Sequence, residues 1–342
     1  MKQQLAASDV VTNNTQRDYL FDNLRAILII LVVFGHMLTS MRGSSDVIKS
    51  IYFFVFFFHM PAMAFVSGYF SKSLEKIRSN AFVTIFIPFL ILNVINYTYK
   101  ILVIKDTLSG FKFLLPYWGL WYLLVLFFWK FFLKDLLKIR FLLPLSFIFA
   151  LVSGFSKEFS DYMALGRMVC FLPFFLLGYY FTKGQVEKVR RVPKVISFGV
   201  IAATASISSF IAYNDIFKVE ILYLRRPYPE AIEIKSMLFR LLVYVVAIAM
   251  IIAVINLTTA KKTFLSIIGT STMTVYILHL FTIPILEKYE ILKNQPYLYL
   301  LYSLIMTAVI VYLYTRPVVI RVYDTFIDRL TRLAIKSAKD NR

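Results

Sequence analysis

Asp22-Asn23-Leu24-Arg25-Ala26-Ile27-Leu28-Ile29-Ile30-Leu31-Val32-Val33-Phe34-Gly35-His36-Met37 is the stretch that decides what kind of chain this is. It is long and apolar enough to begin a membrane span, yet it carries a cation and an imidazole. Both are costly to bury in hydrocarbon, so by default they mark a functional site rather than packing. Eleven helical residues separate them by roughly 16 Å along the axis. Arg25 is therefore expected near one membrane face and His36 well inside.

The rest of the chain has the same character. Of 342 residues, 59% are hydrophobic and 17% charged, with mean hydropathy +0.72. A soluble domain carries about 25% charged residues. Apolar runs alternate with short basic clusters, which predicts an all-α polytopic transmembrane bundle. Ten spans are expected, at about 22–40, 48–70, 81–104, 115–133, 141–155, 168–184, 195–213, 237–257, 264–287 and 296–315. Residues 1–21 do not resemble a signal peptide, so the first span is expected to act as an uncleaved signal anchor.

With both termini in the cytoplasm, this layout puts 24 of the 38 basic residues on the inner side. That follows the positive-inside rule, so the net charge of +19 reports topology rather than nucleic-acid binding. The single cysteine, Cys170, excludes an internal disulfide and a cysteine metal site. Three histidines and few clustered carboxylates argue against a metal. Two units are expected: residues 1–315 as the membrane domain and 316–342 as a basic amphipathic cytoplasmic tail. In that tail Val319, Val322, Phe326, Leu330 and Leu333 recur at helical spacing among Arg321, Arg329, Arg332 and Lys336. Such a helix can lie on the inner leaflet; a solvated basic tail is the plainer alternative.

His36, His59 and His279 fall at similar depths, so they can surround one cavity, with histidine the usual base near neutral pH. The plain alternative is that each bonds a backbone carbonyl. Arg25 has its own plain partner in Asp22, three residues earlier. Its functional role is an inner anion site shared with Lys72, Lys76 and Arg78. Pro61 should interrupt the second span, and Gly68 permits close helix approach. Arg167, Arg240 and Glu287 sit at outer span ends and are candidates to meet an external polar substrate. The long external loop at about 214–236 is a further functional candidate.

Several pieces in order resemble the acyltransferase-3 family of integral-membrane O-acyltransferases, especially its fucose 4-O-acetylase-like branch. They are Tyr19 to Ala26, the Arg25/His36 pair, Phe58-His59-Met60-Pro61, Phe65-Val66-Ser67-Gly68-Tyr69 and Leu120-Trp121-Tyr122. Arg167 with Phe171 to Gly178, and Ile268 to His279, continue the series. The resemblance implies ten spans and transfer of an acyl group, commonly acetyl, from cytoplasmic acyl-CoA to a glycan hydroxyl outside. Arg25 and His36 carry over as the essential pair. The chain departs from the family in lacking an Arg-x-x-Arg before the third-span proline, since Phe82 to Ile87 ahead of Pro88 is apolar. No fused hydrolase domain of the SGNH type is seen.

The resemblance thus implies acetyl-CoA as donor substrate, no metal, and a cell-surface or lipid-linked glycan as acceptor. It places the protein in a bacterial plasma membrane, with membrane lipid around it and a homodimer allowed. Coenzyme phosphates would meet Arg25, Lys72, Lys76 and Arg78. His36 would act as general base or transient acyl carrier. His59, His279, Arg167 and Arg240 would face the acceptor, and Ser67, Trp121 and Tyr122 could donate to the oxyanion. The same spans suit a transporter or flippase of a lipid-linked glycan or small polar solute, which would consume no coenzyme. A scaffold leaves Arg25 and His36 unexplained.

Overall fold

Two glycine contacts set the centre of the molecule. The computed structural model describes residues 17–104, 115–159, 161–289, 292 and 294–334. Among them there is no strand. Helix α1 spans Tyr19–Met37 and α2 Asp46–Tyr69. α3 is Leu74–Ala81, α4 Ile87–Tyr99, α5 Trp121–Leu136, α6 Leu142–Val152 and α7 Leu165–Tyr180. α8 is Lys183–Arg191, α9 Lys194–Tyr213 and α10 Glu233–Leu257. α11 is Phe264–Thr270, α12 Thr272–Lys288, α13 Pro296–Tyr314 and α14 Pro317–Ala334.

α2 is the axle: it packs on α1, α7, α9 and α10. It meets α7 so closely that a Cβ at Gly68 would lie 1.8 Å from the Phe175 carbonyl oxygen. The contact is reciprocal, because a Cβ at Gly178 would lie 1.9 Å from the Phe65 carbonyl oxygen. Lipid supplies no hydrophobic force between helices, so small residues and close van der Waals contact carry the association. α1 is held on its other flank by α11, α12 and α13. There Gly269 does the same work, with a Cβ at 1.8 Å from the Asp22 carbonyl oxygen. Asn23 fastens that junction, donating to the carbonyls of Thr259 (2.8 Å) and Lys261 (2.9 Å) and accepting from Thr263 and Ser266 (both 2.8 Å). Its amide is fully satisfied, as a buried polar group must be.

Seven of the described helices are long and apolar enough to cross a membrane, or eight if a bent pair is one span. The ten expected segments are all helical, but three are not full-length straight spans. The segment at 115–133 loses its first turn, because Trp118 adopts φ 37° and only α5 continues beyond it. The segment at 141–155 holds the short helix α6. The segment at 264–287 breaks at Ser271 into α11 and α12, which are bent by 74°. Elsewhere helices run further than expected. α3 and α4 join through a wide turn at Phe82–Phe86, just ahead of Pro88, so Lys76 and Arg78 are on a helix and not in a loop. α2 likewise continues through Pro61 without a break.

The loop after α9 folds back into the bundle. Leu222 and Leu224 are buried, Tyr228 N–H donates to Gly154 O and its hydroxyl donates to Leu151 O (2.8 Å). α14 is amphipathic: Tyr323 and Ile327 pack against the core, while Val318, Val322 and Phe326 are exposed. Lys336 and the first sixteen residues lie outside the described residues.

The α2–α7 contact makes a direct prediction. Gly178→Val should destabilise the protein by about 1–3 kcal/mol or more, because the added atoms meet backbone and not a movable side chain. Gly199→Val, where nothing lies within 4 Å, is the matched control. Thermal unfolding in detergent should rank Gly178→Val well below Gly199→Val; equal midpoints would refute the close-contact account.

Candidate functional site

Along α1, Arg25 and His36 open on different cavities that meet between them. The chamber at the His36 end has a volume of about 260 Å³ and is bordered by His36, His59, Trp118, Trp121, Arg167 and Tyr276. A narrower slot of about 110 Å³ lies towards Arg25, walled by Met60, Met63, Val66, Leu123, Leu126 and Met273. Val32, Met60 and Tyr276 border both, so they form the neck between the two. Arg25 closes the far end of the slot, with its guanidinium 4.2 Å from the Phe70 ring centroid. Phe70 in turn borders a third, polar chamber of about 320 Å³ with Ser73, Lys76, Asn80, Thr84 and Lys130. The first two cavities thus follow one another along α1 and α2, and Phe70, beside Arg25, borders the third against α3.

The hydrogen bonds assign the imidazole protons. His279 Nδ1 lies 3.0 Å from the Val275 carbonyl, which can only accept, so Nδ1 carries the proton. His279 Nε2 is then a lone pair. It lies 2.9 Å from His36 Nδ1, so His36 Nδ1 is the donor of that bond. The proton of neutral His36 therefore sits on Nδ1, and its Nε2 is an open lone pair with no partner among the described residues. This second-residue control of the tautomer is the usual way a protein orients a reactive histidine. The Trp118 ring, 4.7 Å away, covers one face of His36. Trp118 holds its left-handed φ there, beside Gly119, whose carbonyl accepts from the Tyr276 hydroxyl. Strain of this kind, worth about 1–3 kcal/mol, gathers where surrounding structure over-determines a site.

The other expected site residues divide clearly. His59 lines the outer chamber, but its Nδ1 donates to Val55 O (2.7 Å) in its own helix. Tyr122 donates to Met63 O (3.0 Å) and therefore accepts from Ser67 (2.8 Å). With both hydrogens spent, neither hydroxyl has one left for an oxyanion. The Trp121 indole N–H has no partner among the described residues and Trp121 lines the outer chamber. Arg167 lines it too, stacked 4.6 Å over Trp121. Arg240 lies apart. It donates to the carbonyls of Ala150 (2.9 Å) and Arg226 (3.0 Å) and borders none of these cavities, so it ties the loop to the bundle. Glu287 also borders none of the three.

At the other end, Lys72 donates to Phe181 O (3.1 Å), and partial burial lowers its ammonium below the ordinary lysine range. Arg78 is paired with Asp135 (2.8 Å). Lys76 alone of these three borders the polar chamber, together with Lys130 of α5. Arg25 is 3.5 Å from Asp22, whose shorter contact is with Arg17 (2.6 Å). Arg42, Trp118, Glu220, Tyr223 and Arg225 also line the outer chamber and were not anticipated individually. The long loop was the only signal for the last three.

A lone pair open to a cavity has a chemical signature. Diethyl pyrocarbonate, which acylates neutral imidazole, should modify His36 ahead of His279. His279 should resist because its lone pair is occupied. Peptide mapping that found His279 modified ahead of His36 would overturn the assigned tautomers.

Comparison with curated proteins and with solved structures found no match. A family model described as an acyltransferase domain matches residues 18–315, which takes in both α1 and α13 and all three cavities. The chain belongs to the acyltransferase-3 family, and its described apolar helices make it a membrane protein with an acyltransferase domain.

Proposed function

We propose that this protein moves an acyl group, acetyl in the first instance, from cytoplasmic acyl-CoA to a hydroxyl of an extracytoplasmic or lipid-linked glycan. The observation that carries the reading is the open Nε2 of His36, facing a chamber whose neck leads down an apolar slot to Arg25. In this orientation the Arg25 end faces the cytoplasm, in line with the excess of basic residues there.

Each part of the passage has a chemical task. Arg25, Lys76 and Lys130 present cations to the donor's phosphates, for which charge-assisted bonds are strong. The methionine-walled slot suits the slender donor arm, since Met side chains adapt to irregular shapes. The thioester would then reach the neck below His36. His36 Nε2 takes the proton of the acceptor hydroxyl, and the freed oxygen electron pair attacks the thioester carbonyl carbon. The tetrahedral oxyanion collapses, the C–S bond breaks, and the departing thiolate recovers the proton from His36 Nε2. Throughout, Nδ1 keeps its own proton on His279, which stabilises the transient imidazolium. Trp118 and Trp121 are the indole donors within the chamber that remain free for the oxyanion.

The test is acetyl transfer in sealed vesicles with acetyl-CoA supplied on one side only. His36→Ala should lose about 10²–10⁴-fold in rate. His279→Phe should lower kcat by about 10–100-fold, as expected when a residue that orients a reactive imidazole is removed. Arg25→Ala should raise KM for the coenzyme with little change in KM for the acceptor. Full activity in a folded His36→Ala protein would end the proposal, and substrate movement without coenzyme consumption would replace it with transport.

A further inference from the structure

The outer chamber holds more positive charge than the transfer chemistry needs. Arg42, Arg167 and Arg225 all line it; among the described residues Glu220 is the one carboxylate in the lining, with Asp161 beside Arg225. They arrive from three separate elements: the turn after α1, the first turn of α7, and the loop after α9. Among the described residues Arg167 makes no hydrogen bond or ion pair, and its guanidinium only stacks on Trp121. Arg225 Nε is buried without a hydrogen bond and has only a long ion pair with Asp161 (3.9 Å), a carboxylate that Arg226 shares (3.8 Å). Arg42 gives one N–H to the Thr39 carbonyl (3.0 Å) and has others to spare. Each guanidinium has five donors and no acceptor. The chamber is therefore rich in fixed donors and poor in anions, next to the His36 lone pair.

The fold goes to some length to assemble this cluster. A Cβ at Gly166 would sit 2.5 Å from the Arg225 carbonyl oxygen, so glycine is what lets the loop reach the start of α7. Met163, Ala164 and Leu224 all adopt positive φ on either side of that contact. Tyr223 ties the same loop to α2 through its hydroxyl bond to Tyr52 (2.8 Å). Three half-buried guanidiniums with spare donors and few counter-ions repel one another, and an anionic ligand relieves that cost.

We propose that the outer chamber binds an anionic group, a carboxylate or phosphate carried by the acceptor glycan, through Arg42, Arg167 and Arg225. Planar guanidinium forks suit both oxyanions. The anion docks the sugar so that a neighbouring hydroxyl lies at His36 Nε2. This rests on the transferase reading for the word acceptor, but the binding itself needs no acyl transfer.

Tryptophan fluorescence tests it, because Trp118 and Trp121, two of the three tryptophans in the chain, border the chamber. The full chain in detergent is titrated with methyl glucuronoside, glucose 1-phosphate, methyl glucoside and inorganic phosphate, without acyl donor. At least one of the two charged sugars should change the emission saturably, more tightly than the neutral sugar by tenfold or more. Which one does so separates carboxylate from phosphate, and added salt should weaken it. Arg167→Gln and Arg225→Gln should each weaken binding about tenfold, while Glu220→Gln should tighten it, a gain that misfolding cannot produce. Equal binding of charged and neutral sugars, no effect of Glu220→Gln, or the same response to inorganic phosphate alone would overturn the proposal. So would a response to desulfo-coenzyme A at these arginines. Charged-sugar binding without acetyl transfer would sink the transferase reading and leave this site standing; transfer that favours neutral glycans would do the reverse.

Discussion

The hydrogen bond from His36 Nδ1 to His279 Nε2 is the contact on which the rest of the site depends. In an apolar bundle an imidazole can present either nitrogen to a cavity, and only the one without hydrogen can take a proton. The choice is made two residues away, by the Val275 carbonyl that holds the His279 proton on Nδ1. Each link is short and leaves little freedom: 3.0 Å from His279 to the carbonyl, 2.9 Å from His36 to His279. His279, expected to face the acceptor, is bonded to its own helix backbone and through that bond fixes the tautomer of its neighbour. Structural and functional roles coincide in one side chain.

That bond exists because α1 and α12 approach at a fixed depth, and this follows from the break at Ser271. A straight helix over residues 264–288 would present a different face of His279 to α1. Instead α11 lies against the start of α1, where Gly269 meets the Asp22 backbone and Asn23 binds the turn at 259–263. Polar side chains placed at helix ends serve here as fasteners, since lipid gives them no competing partner. The glycine pair at α2 and α7 fixes the opposite wall. The passage between the walls is therefore a product of close backbone contact on two sides, not of a single bulky constriction.

The passage also has an asymmetry that suits two unlike substrates. Its middle is apolar and narrow, and its two ends are cationic in different ways. At the Arg25 end the cations stand beside a roomy chamber lined by the polar side chains of α3. At the His36 end three arginines from distant parts of the chain are gathered over one carboxylate in the lining. Charge at the first end matches the basic excess expected of an inner face; charge at the second exceeds what the carboxylate in its lining balances.

Much of this was legible in the residues taken alone. Span-length apolar runs declared an all-helical membrane chain, because hydrocarbon allows a lone segment no other way to satisfy its backbone. Arg25 and His36 stood out because burying either is expensive, and Gly68 because a small residue marks a close approach. What no local pattern could give was partnership. Nothing near His279 says that its lone pair meets His36, nor does Arg240 reveal that its donors serve carbonyls while Arg167 keeps its own free. Arg42 and Arg225 looked like ordinary loop cations until folding brought them to one cavity. Short-range periodicity encodes which face a residue occupies; which groups meet across faces depends on helix breaks, glycine contacts and a folded-back loop, and those are settled only when the whole bundle packs.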